Sequence, residues 1–86
     1  MIIRTENSVY EVETTEEEND NLFKVTKTES FNPLSVFNEV GQVKYCTSMF
    51  LRVDEPATFM ERRYIPANDE TINAPWHTSK VEAIEI

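Results

Sequence analysis

The 86-residue chain carries one cysteine and one histidine, Cys46 and His77, and between Val9 and Val25 it sets six carboxylates with no cation before Lys24: Glu11, Glu13, Glu16, Glu17, Glu18 and Asp20. A thiol and an imidazole could form a nucleophile and base pair. Cys46, however, falls between Tyr45 and Thr47 in an alternating run, where a packing thiol is the default, and no glycine-rich turn accompanies it to build an oxyanion site. His77 stands beside Trp76 just ahead of the last apolar run, a setting that suits an exposed or hydrogen-bonded imidazole better than a base. A transition-metal site needs several His or Cys ligands, so zinc is excluded. The carboxylates from Glu13 to Asp20 are numerous enough for calcium but lack the Asp/Asn spacing and the glycine that bend a loop around that ion. Gly41 is the one glycine, which leaves no loop to cradle a phosphate through its amides. Paired carboxylates for glycoside chemistry need a concave site, for which so small a domain has little room. The expectation is a protein that is not an enzyme and that uses no cofactor and no metal.

The carboxylate run then has two readings. As a solvated hairpin tip it keeps a strand edge soluble and blocks edge-to-edge pairing. As a working surface, Glu11, Glu13, Glu16, Glu17, Glu18 and Asp20 meet a basic surface of another protein, one that otherwise holds nucleic acid, with charge steering the encounter. Net charge is −8, with −6 of it in residues 1–43 and −2 in residues 44–86. An acidic surface repels phosphate backbones and anionic lipid, which argues against direct binding to nucleic acid or membrane. A second candidate interface gathers Phe50, Arg62, Arg63, Tyr64 and Trp76, because aromatic and Arg side chains dominate protein contact hot spots. Phe50 lies on the otherwise polar side of its strand, and a homodimer could be built there.

A domain of this length buries only roughly 60–65% of its unfolded surface, so residues 1–86 form a single domain with modest stability. The 40% apolar content supports a folded core. One cysteine in so small a chain points to a reducing compartment, the cytoplasm. No apolar h-region opens the chain and no run approaches the roughly 20 apolar residues of a spanning helix.

Most of the chain around these residues patterns as strands. Residues 9–25 pattern as a hairpin with a loop over Thr14–Asn21, in a register that pairs Val12 with Phe23, Tyr10 with Val25 and Glu11 with Lys24. Residues 33–40 hold at most one short helix, with Asn32 as N-cap, Pro33 at the first position and Gly41 just past the end, or else an ordered loop. From Gln42 to Asp54, Val43, Tyr45, Thr47, Met49, Leu51 and Val53 alternate onto one face, in a strand long enough to require a bulge or break near Thr47–Ser48. Asp54–Ala57 is a turn, Thr58–Ile65 an alternating strand near an edge, Pro66–Pro75 a loop, and Val81–Ile86 a final strand. The fold class is mainly β: a small antiparallel meander, a barrel or a two-sheet sandwich.

The residues "NSVYEVE" (Asn7–Glu13), the Tyr45 strand, "LRVDEPA" (Leu51–Ala57) and "TSKVEAIEI" (Thr78–Ile86) resemble a pattern in small uncharacterised β-rich proteins of bacteria and their phages. The resemblance implies a small β-rich fold and a viral source, which would place the protein in the host cytoplasm. Together these features favour a non-enzymatic acidic interaction module, a phage-encoded inhibitor that binds a basic, nucleic-acid-binding surface of a host protein. The alternatives are a structural or assembly subunit forming homo-oligomers and a protein that sequesters a small ligand.

Overall fold

The computed structural model describes residues 1–15, 22–31 and 40–86. Within them the chain forms seven strands and no helix: β1 (Ile2–Thr5), β2 (Ser8–Thr14), β3 (Phe23–Ser30), β4 (Val43–Cys46), β5 (Ser48–Phe50), β6 (Pro56–Ile65) and β7 (Glu70–Glu85). Every pairing is antiparallel, and the strands lie in the order β4, β3, β2, β1, β7, β6, β5. The result is one sheet curled into a half-barrel rather than a two-sheet sandwich. The predicted helix at 33–40 falls almost wholly outside the described residues, as do Glu16, Glu17, Glu18 and Asp20 of the hairpin loop.

The curl follows from the connection between the two edge strands. β4 and β5 stand at opposite ends of the strand order, yet only Thr47 separates them in the chain. Its amide and its hydroxyl both donate to the Met60 carbonyl, at 2.7 and 3.2 Å, which pins the corner to β6. The break expected near Thr47–Ser48 is therefore the point where the sheet turns back on itself. It also switches the strand's inner face. In β4 the inward positions are Cys46 and Lys44, while Val43 is exposed, so the expected Val43, Tyr45, Thr47 face is inverted before the corner. After it, Met49 and Leu51 pack on the core as expected.

β7 is the spine. Its second half pairs with β1 and its first half with β6, and the register shifts near Thr5 and Pro56 as it passes from one neighbour to the other. Residues 66–75, expected as a loop, are instead a turn at 66–69 followed by strand. Asp69 takes the left-handed φ of 51° in that turn, and Tyr64 Oη donates to its Oδ1 at 2.6 Å. Pro75 is tolerated within the strand because, among the described residues, Glu70–Thr78 has a strand neighbour only on the β6 side. β6 lies next to the edge, as expected: β5 flanks it at Thr58–Met60, and among the described residues Glu61–Ile65 has a strand neighbour only in β7.

The hairpin of β2 and β3 forms in a register two residues away from the expected one. Val12 faces Val25, Tyr10 faces Lys27, Glu11 faces Thr26 and Glu13 faces Lys24. A two-residue slip leaves every side chain on its own face, so the apolar pattern cannot distinguish the two pairings. The slip opposes Glu13 to Lys24 and extends the ladder to Thr14 and Phe23.

Inside the curl, Ile3, Tyr10, Val12, Val25, Cys46, Ala57, Phe59 and Val81 make a continuous buried core. Phe59 stacks on Trp76 with ring centroids 4.3 Å apart, and Tyr10 leans on both rings at 6.5 and 6.4 Å. The β1–β2 turn is closed by Thr5, whose hydroxyl donates to the Ser8 carbonyl at 2.9 Å and accepts from the Ser8 amide at 3.0 Å.

Candidate functional site

Residues paired directly across an antiparallel ladder share a face, so register decides which charges stand together. Ile2 pairs with both Glu11 and Glu85, so β7, β1 and β2 present Glu85, Ile2 and Glu11 in one row on the convex face. Glu13 follows Glu11 on that same face about 7 Å along the strand, and Glu85 lies about 10 Å across the sheet. Arg4 Nε donates to Glu85 Oε2 at 2.8 Å, and Lys24 stands opposite Glu13. Both partners of the Arg4–Glu85 pair are half exposed, where water screens the attraction. The predicted acidic residues Glu11 and Glu13 thus lie on the outside of the half-barrel, toward the end of β2 that precedes residues 16–20 in the chain. Glu85 joins them only through non-local pairing, a signal that a linear reading does not contain.

The second predicted group is divided by the sheet. Phe50, Arg62 and Tyr64 lie on the convex face, with Phe50 55% and Tyr64 55% exposed. Trp76 and Arg63 lie on the concave side, Trp76 within the core stack and Arg63 in an ion pair with Glu61, Nε to Oε1 at 2.7 Å. Arg63 therefore answers a neighbour on its own strand. Lys44 reaches over the Trp76 ring at 5.6 Å from its centroid, a cation held against the electron-rich face.

Cys46 and His77 are not brought together. Cys46 is fully buried, and burial, with the Glu61 charge adding to it, pushes its thiol up from 9.0 to about 11. His77 is exposed on the opposite side, its Nδ1 3.0 Å from Thr58 Oγ1. Among the described residues no three His, Cys, Asp or Glu side chains converge as a metal site, and no helix is long and apolar enough to cross a membrane. Lys27, which carried no role in the sequence reading, has no exposed surface; desolvation lowers its pKa below 10.5. It continues the inward alternation of Phe23 and Val25, which is the one sequence cue to its burial.

No family model, curated protein or solved structure matches this chain. The convex face offers carboxylates at strand spacing on a rigid ladder, and the concave face is filled by core side chains.

Proposed function

We propose that the protein is a non-enzymatic acidic interaction module whose convex face docks on a basic surface of another protein, one that otherwise binds nucleic acid. The observation that carries this reading is Glu11 on the convex face between Glu85 and Glu13, which Arg4 and Lys24 answer on the same face, in a chain of net charge −8. Carboxylates fixed on a hydrogen-bonded ladder lose little conformational freedom on binding, in contrast to those on a free loop. Their field steers a cationic partner and repels nucleic acid itself. In the form this reading takes, the module is an inhibitor of a host protein.

The experiment is capture from a host lysate at low and at physiological salt, with wild type beside the Glu11→Lys/Glu13→Lys variant. The expected result is a basic, nucleic-acid-binding protein retained by wild type, weakened by salt and lost in the variant. Equal retention by both would overturn the reading. A second reading, a homo-oligomeric assembly subunit, is favoured by the exposed Phe50 aligned with Arg62 and Tyr64 on the convex face. It predicts that Phe50→Ser abolishes assembly while Glu11→Lys/Glu13→Lys leaves it intact.

A further inference from the structure

The described strands fall into two meanders that follow one another in the chain. β1 to β4 lie within residues 2–46 and pair in sequence order, and β5 to β7 lie within residues 48–85 and do the same. Among the described residues, β1 against β7 is the one strand pairing that joins the two meanders, and Thr47 is the one residue between them in the chain. The half-barrel thus closes on a hinge of a single residue, held by the two bonds from Thr47 to the Met60 carbonyl. Cys46 and Met49 flank this hinge, and both pack in the core. They are three positions apart, and an odd separation sets two side chains on opposite sides of a straight strand. Within one copy, the corner is what brings both into the same core. Along a straight strand they serve two different cores.

We propose that the Thr47 corner straightens to exchange the two meanders between two copies of this chain, so that β1 of each copy pairs with β7 of the other. The seam fixes the occupant. The surface that each meander gives up on opening is the one that the other meander of the same sequence covers, in the same register, with Ile3 against Ile84. Residues 43–50 then run as one strand, with Cys46 entering the core on one side and Met49 the core on the other. The exchanged dimer keeps the contacts of the closed chain apart from those at the corner, so protein concentration and the chemistry of the hinge set the balance between the two forms. Interconversion requires the β1–β7 seam to part, which makes it slow. Each half-barrel keeps its convex row, but Glu11 then comes from one copy and Glu85 from the other.

The test is sedimentation velocity on wild type held at about 1 mM near its unfolding midpoint, then cooled and diluted to about 10 µM. The expected result is a dimer that persists on dilution and has the far-ultraviolet spectrum of the monomer. Insertion of Gly-Gly after Thr47 lengthens the hinge and keeps the separation of Cys46 and Met49 odd, and it should lower the dimer fraction by about tenfold or more. Thr47→Val removes the hydroxyl bond to the Met60 carbonyl but keeps a β-branched residue suited to a straight strand, and it should favour the dimer by about fivefold for each hinge. Thermal unfolding checks that each variant is folded. In a dimer grown from a mixture of two isotope labels, contacts between the Ile3 methyls of one copy and the Ile84 methyls of the other are expected. A wild type that returns only as monomer, or hinge variants that dimerise like wild type, would overturn the proposal, as would a dimer whose intercopy contacts lie at Phe50 in place of Ile3 and Ile84.

Discussion

Phe59→Ala is expected to remove about 3–5 kcal/mol of stability, the usual cost of deleting a fully buried aromatic ring. Phe59 has no exposed surface, stacks on Trp76 at 4.3 Å and touches Tyr10, so its loss opens a cavity where three strands meet. A chain of 86 residues holds roughly 4–13 kcal/mol in all, at about 0.05–0.15 kcal/mol per residue. The variant is thus poised at the edge of unfolding. Phe50→Ala is the matched control: an exposed ring of the same type should cost within about 0.5 kcal/mol. Urea unfolding of both variants, followed by Trp76 fluorescence, distinguishes them. Similar losses would mean that the aromatic stack is not the centre of the core.

The second large effect is alkaline. The Cys46 thiol titrates at about 11 in the folded protein against 9.0 for its ordinary value, because burial, and then the Glu61 charge, disfavour the thiolate. Between those values the unfolded chain has released the proton that the folded chain keeps, so stability falls as pH rises through this window. The full loss is on the order of 2–3 kcal/mol, from about 1.4 kcal/mol per unit of pKa difference. Lys27 acts in the opposite sense: its folded pKa lies below 10.5, so the unfolded state binds the extra proton and stability rises with pH up to that value. Comparing wild type with Cys46→Ala isolates the thiol, since Lys27 is common to both. The difference in stability between the two proteins should drift in favour of the variant from pH 9 to pH 11 and stay flat below pH 8. A difference independent of pH would show that Cys46 is not held in a desolvated, neutral state.

What the sequence revealed and what it concealed both have physical causes. The alternation from Gln42 to Asp54 and its excess length located the Thr47 corner, because a strand that long must break. The inner face of β4 was misassigned because the corner changes which side is buried, and Lys44 can occupy an inward position by laying its ammonium over Trp76. The β2–β3 register was concealed by the period of two, which any even slip preserves. β7 from Glu70 to Trp76 was concealed for a different reason. An arm with most positions exposed has no hydrophobic alternation to detect, and Pro75 with Asn73 mimics a loop. The acidic pair Glu11 and Glu13 was legible as outward-facing charge in an apolar strand, while Glu85 could not be, since 73 residues of chain separate it from Glu11.

If the convex carboxylates occupy a surface made for nucleic acid, duplex DNA competes for whatever basic protein the immobilised chain retains at physiological salt. DNA is then expected to release the retained protein, and Glu11→Lys/Glu13→Lys to prevent its retention. A retained protein that DNA leaves in place, or no retained protein at all, would contradict the proposed function.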